Sequence, residues 1–115
     1  MAKTSKRKPK HGCVYLLRSL CIDGVYKFGA TSGDPRKRAK RVTARYKITT
    51  GINYKFEVVL FMDVKDIFYV EKIIKWDLMP FGIGFLSEVI DIDLFDGDER
   101  DLKNSFIQIA NNANQ

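Results

Sequence analysis

A chain of 115 residues has room for one folded domain, and its 45% apolar content, with eight Phe, five Tyr and one Trp, excludes disorder throughout. A formal net charge of +6 points to a polyanionic partner. No apolar run approaches the roughly 18 residues of a membrane-spanning helix, and the basic start is not followed by a hydrophobic leader, so a soluble, cytoplasmic protein with no membrane partner is expected.

Residues 1–11 read as a flexible basic arm carrying Lys3, Lys6, Arg7, Lys8 and Lys10, with Pro9 opposing a helix. Ordered structure is expected from Gly12, as a single domain over 12–115. Cys13–Leu20 and Val25–Thr31 read as strands joined around Ile22-Asp23-Gly24. A three-residue loop with Gly24 left-handed pairs odd positions with odd. It sorts Val14, Leu16, Tyr26, Phe28 and Ala30 to a core face and Tyr15, Leu17, Lys27 and Gly29 to a more polar one. The two cysteines, Cys13 and Cys21, lack zinc-ligand spacing and read as reduced.

Asp34 is placed to cap a helix with Pro35 at its first position, running to about Tyr46. Ala39, Val42 and Tyr46 are spaced to pack inward, while Arg38, Arg41 and Arg45 form a separate stripe. With Arg36, Lys37, Lys40 and Lys47 this segment holds seven cations and no acid. Together with the arm it concentrates twelve of the chain's twenty Lys and Arg residues, marking a surface suited to phosphate. The acids Asp91, Asp93, Asp96, Asp98, Glu99 and Asp101 gather at the other end, so a basic and an acidic side are expected.

Tyr54–Met62 reads as a third strand, covered on both faces. Asp66–Leu78 reads as a helix whose Ile67, Val70, Ile74 and Leu78 share one face, ended by a loop at Pro80, Gly82 and Gly84. Leu86, Ile90, Ile92 and Leu94 suggest a fourth strand, and Leu102, Phe106 and Ile109 a last helix starting near Asp98. These elements make an α/β (α+β) domain with a central, mainly antiparallel, three- to four-stranded sheet flanked by helices.

Glu71 falls within the apolar stripe of its helix, where an unpartnered carboxylate costs several kcal/mol. It is therefore paired with a cation, held neutral, or bound to a metal ion. The order of elements and residues resembles the GIY-YIG nuclease domain: Cys13-Val14-Tyr15 is similar to its first motif and Lys27-Phe28-Gly29 to its second. Arg38 matches the family's catalytic arginine and Glu71 its metal-binding glutamate. The resemblance spans roughly residues 12–80 and is greatest to the compact, often phage-borne or mobile-element branch. It departs in having Lys27 where tyrosine is common, Val42 where a histidine follows the arginine by one helical turn, and no asparagine near Pro80.

The resemblance implies a metal-dependent endonuclease hydrolysing phosphodiester bonds of double-stranded or branched DNA. Glu71 would hold Mg²⁺ or Mn²⁺ and Arg38 would bind the scissile phosphate. Tyr15 would orient or deprotonate the attacking water if nearby cations, Lys27 among them, lower its pKa from about 10; Lys27 is the alternative proton acceptor. Lys6, Arg7, Lys8, Lys10, Arg36, Lys37, Lys40, Arg41, Arg45 and Lys47 would contact DNA. Glu88 reads as a turn or strand-edge residue. The competing expectation is a non-catalytic DNA-binding accessory protein.

Overall fold

The computed structural model describes residues 8–83 and 86–115; Lys3, Lys6 and Arg7 of the basic arm, and Gly84, lie outside them. The elements are β1 (Gly12–Ser19), β2 (Val25–Thr31), α1 (Pro35–Thr50), β3 (Phe56–Val64), α2 (Ile67–Leu78), β4 (Gly82–Ile83), β5 (Leu86–Asp91) and α3 (Glu99–Ala113). The sheet order is β3-β1-β2-β5-β4, and every ladder is antiparallel. Since β4 contributes two residues at one edge, the body is a four-stranded antiparallel sheet with three helices. This is the α+β architecture that the pattern of strands and helices predicts.

The hairpin register follows from its loop. Tyr15 opposes Gly29 and Leu17 opposes Lys27, so odd positions pair with odd. The loop between Ser19 and Val25 is longer than the three residues expected but has the same parity, with Gly24 left-handed at φ 79°. Val14, Leu16, Tyr26 and Phe28 pack with Ile67, Val70, Ile74 and Leu78 of α2 and with Leu102, Phe106 and Ala110 of α3. The opposite face differs from expectation. It is a second core rather than a polar surface, in which Tyr15, Leu17, Val25 and Val89 are covered by Ala39 and Val42 of α1.

Local signals set the helix ends. Asp34 Oδ1 accepts from Arg36 N at 2.8 Å, and α1 runs a turn beyond Tyr46. Gly51 stops it in the left-handed conformation, its N–H donating to the Lys47 carbonyl. Asp66 caps α2, and Ile67 N donates to the Lys10 carbonyl at 2.9 Å, so the end of the arm is tied to the start of that helix. Asp98 and Asp101 form a reciprocal capping box at α3, which gives two of the clustered acids a structural task.

Three expectations are corrected. β3 is an edge strand with β1 as its one neighbour, and Phe61 on it is 44% exposed. Its start is delayed because Lys55 adopts φ 51°, which places Tyr54 and Phe56 in a stack 5.0 Å apart. β5 stops at Asp91, whose side chain accepts from Asp93 N, and Leu94 N then donates to the Asp91 carbonyl to form a turn. Pro80 lies in a 3₁₀ turn, and Gly82 starts an edge strand instead of a loop. No helix among the described residues is long and apolar enough to cross a membrane.

Phe106 is fully buried between α3 and the sheet. Phe106→Ala is expected to destabilise the fold by about 3–5 kcal/mol, read as a fall in the urea midpoint.

Candidate active site

The β2–β5 ladder determines where the two helical layers can meet. Among the described residues it covers only Val25, Tyr26 and Lys27 against Asp91, Ile90 and Val89. Beyond Lys27 this side of β2 has no strand partner among the described residues, and α1 from one layer and α2 from the other both contact β2. The four residues singled out by sequence thus converge from four elements: Tyr15 from β1, Lys27 from β2, Arg38 from α1 and Glu71 from α2. The charges of Lys27 and Arg38 act on Glu71, and those of Arg38 and Glu71 act on Tyr15.

Tyr15 is held by the glycine opposite it. A Cβ at Gly29 would lie 2.6 Å from Tyr15 Cζ, so the ring occupies the space that any larger residue there would fill. Burial pushes the Tyr15 hydroxyl above its ordinary value of 10.0, although a hydrogen bond and charge from Arg38 oppose the shift. The expectation of a lowered pKa is therefore corrected: the phenol is neutral at physiological pH. Arg38, not Lys27, is the cation acting on it.

Lys27 is nearly inaccessible, and its Nζ donates to Glu88 Oε1 at 2.9 Å and to the Phe28 carbonyl at 3.2 Å. The same ammonium lies 5.7 Å from the centre of the Tyr46 ring. Glu88 is thus the member of the constellation that its sequence context concealed. Its one signal was a charge within an apolar stretch. Lys75 also acts on Glu71 and was legible from its i, i+4 spacing on α2.

Glu71 is half-buried and makes no hydrogen bond or ion pair with any described residue. Burial, then repulsion from Glu88, raises its carboxyl above the usual 4.5, against the pull of Lys27, Lys75 and Arg38. Arg38 is half-buried too, and its buried Nε has no hydrogen-bond partner among the described residues. Glu99, at the other end of the sheet, shows what a structural carboxylate looks like in this protein. It accepts from Arg18 Nη1 at 2.9 Å and from the Tyr26 hydroxyl at 2.7 Å. Burial works to raise its pKa, but those partners bring it below 4.5.

The remaining cations divide by position. Lys8, Lys10, Arg36, Lys37, Lys40, Arg41, Arg45 and Lys47 are exposed, whereas Lys6 and Arg7 lie outside the described residues. None of the exposed α1 cations pairs with an acid among the described residues. The Arg38, Arg41 and Arg45 stripe is uneven, because only Arg38 turns inward. Val42, one turn after Arg38, is buried in the second core and brings no proton-carrying group. A cleft beside the basic face, lined by Arg36, Lys40, Phe56 and Glu57, includes none of the four converging residues. Comparison of the chain with protein-family models, with curated proteins and with solved structures found no match.

The raised Glu71 pKa fixes the sign of its contribution to stability. A carboxyl held above its unfolded value favours folding most when protonated, and that contribution is lost as pH rises through the folded value. Glu71→Gln is therefore expected to melt higher than wild type at neutral pH in chelator, with the difference vanishing well below pH 4.5. Thermal melts across that range check the sign. A lower melting temperature for the variant at neutral pH would identify Glu71 as half of a stabilising ion pair.

Proposed function

We propose that the protein is a metal-dependent DNA endonuclease that hydrolyses phosphodiester bonds with the residue set of the GIY-YIG nucleases. One observation carries this reading: the Arg38 charge acts on Glu71 yet the two do not pair, leaving a carboxylate and a buried guanidinium nitrogen without a partner among the described residues. A purely structural role would favour their pairing, as it does for Arg18 and Glu99. A substrate phosphate and a cation would satisfy both groups.

The donor chemistry fits Mg²⁺ or Mn²⁺ at Glu71. Its carboxylate oxygens have no partner among the described residues, and positive charge there would offset the repulsion from Glu88. Among the described residues no group of three His, Cys, Asp or Glu side chains is placed to hold a metal. Glu71 would thus hold the ion alone among the described carboxylates, as an oxygen donor suited to Mg²⁺ or Mn²⁺. Such an ion supplies Lewis acidity toward the phosphate when bound.

The remaining roles follow from the protein groups. Arg38 donates to the non-bridging oxygens and offsets charge that grows as water attacks phosphorus. Tyr15, fixed over Gly29, presents its hydroxyl oxygen to the attacking water and accepts a hydrogen bond from it. Lys27, kept in place by Glu88 and the Phe28 carbonyl, adds fixed positive charge close to the reacting group. The exposed cations of α1 and Lys8 and Lys10 attract the DNA backbone without needing a specific sequence.

Glu71→Gln is expected to lower Mg²⁺-dependent cleavage at least about 10²-fold while DNA binding persists. Arg38→Ala should lose both cleavage and part of the binding, because it meets phosphate before reaction. Single-turnover cleavage of supercoiled, linear and branched DNA, paired with filter binding, measures both. Wild-type cleavage by Glu71→Gln would overturn the assignment, and binding without cutting by the wild type would leave an accessory DNA-binding protein.

The pH profile separates the two proton acceptors. If Tyr15 takes the proton, the single-turnover rate should climb about tenfold per pH unit and still be rising at pH 10, because its pKa lies above 10.0. Tyr15→Phe should abolish that dependence. A plateau in wild type near neutral pH would assign the proton to another group.

A further inference from the structure

The outward face of α2 carries a pattern that the proposed chemistry does not use. At about 100° per residue, Glu71 borders the buried stripe, and the surface continuing away from it presents Lys75, Phe68, Met79, Lys72, Trp76 and Tyr69 in turn. Tyr69 is 53%, Trp76 60% and Met79 50% exposed. Lys72 Nζ lies 5.0 Å from the centre of the Trp76 ring. A single exposed ring needs no explanation. Here rings, a thioether and ammonium groups share one helix face, and that face adjoins the Glu71 carboxylate, which has no partner among the described residues.

We propose that this face of α2 is a stacking platform for unpaired bases of DNA, holding a single-stranded or splayed part of the substrate next to Glu71. The identity of the adjoining site rests on the endonuclease reading. Tyr69 and Trp76 are separated by about 10 Å along the helix axis, enough for each ring to take its own base. Base pairing and stacking hide the base faces in a duplex, so flat exposed rings select nucleotides that have left it. As a base covers Trp76, the Lys72 ammonium exchanges the ring for a phosphate.

Charge identifies the occupant. Lys72 and Lys75 lie on the same face as the rings, while Asp77 lies toward the far border of the helix. A second copy of the chain would bring lysines against lysines in a molecule of net charge +6. DNA supplies phosphates for the ammonium groups and π-faces for the rings.

Trp76 is the only tryptophan, so intrinsic fluorescence reports on this surface directly. The full chain, in chelator, is titrated with oligodeoxythymidylate, with a blunt duplex, and with the same duplex carrying a single-stranded overhang. The single strand and the overhang should quench Trp76, whereas the blunt duplex should bind with little quenching. Trp76→Ala should weaken single-strand binding about tenfold and change blunt-duplex binding by less than about twofold, with Trp76→Phe restoring most of the loss. The platform is overturned if the single strand fails to bind, binds without quenching, or binds Trp76→Ala as tightly as wild type. It is also overturned if sedimentation shows a dimer that Trp76→Ala dissociates. Cleavage of DNA with no Trp76 response to the single strand or the overhang would remove the platform and leave the endonuclease; quenching by these without cleavage under Mg²⁺ or Mn²⁺ would do the reverse.

Discussion

The register of the β1–β2 hairpin is the constraint on which the site depends. A shift of one residue would put Tyr15 and Lys27 on opposite faces and mix Tyr15 and Leu17 with Tyr26 and Phe28 in one layer. Loop parity, with Gly24 at positive φ, sets that register, and two cores covered by different helices hold it. Because both faces are buried, slippage would misplace side chains in each core. Tyr15 is fixed further by Gly29 directly across the ladder, whose missing side chain leaves the space that the ring occupies. The hydroxyl position is thus a consequence of sheet pairing and not of a mobile loop.

The second determinant is how the protein distributes its buried charge. Arg18, Glu57, Glu99 and Tyr26 satisfy one another and link β1, β3, α3 and β2. At the edge of β2, by contrast, Lys27 and Glu88 pair, while among the described residues the Glu71 carboxylate and the Arg38 Nε have no partner. Leaving polar groups half-buried and unpartnered opposes folding. The same arrangement is preorganised for a ligand of complementary charge, since among the described residues no ion pair of Glu71 or Arg38 has to break before phosphate can approach. Stability and the proposed reaction therefore make opposite demands on Glu71.

Much of the fold was legible because side chains of β1 and β2 divide with period two between two faces, and those α2 buries recur with helical period. Ile67, Val70, Ile74 and Leu78 are the residues that α2 buries. Asp34, Pro35 and Asp66 marked helix starts through local chemistry, which tertiary contacts do not override. Long-range facts were less accessible. The face of Tyr15 and Leu17 seemed polar because Lys27 lies on it, yet Lys27 is buried through a partner 61 positions away. The convergence of Tyr15, Arg38 and Glu71 followed from their elements and order, whereas Glu88 joined them only through the short β2–β5 ladder. The direction of the Tyr15 shift was also beyond sequence, since it depends on whether burial or the Arg38 charge is larger.

The two helices flanking the open edge of β2 differ in what they present to a polyanion. α1 offers exposed cations and, among the described residues, no ion pair to restrain them, a surface that attracts backbone phosphate of any conformation. α2 offers rings with fewer cations, a surface that rewards exposed bases. Arg38 faces inward from the first helix and Glu71 borders the outward face of the second. A nucleic acid engaging both helices would have to cross the sheet edge between them, placing one phosphate near both unsatisfied groups. In that arrangement the broad attraction of α1 delivers the backbone, and the geometry of α2 favours a strand whose bases are free to turn away from a partner. Selectivity for unpaired nucleotides then needs no base-specific hydrogen bond, because it arises from which substrates can reach both helices at once.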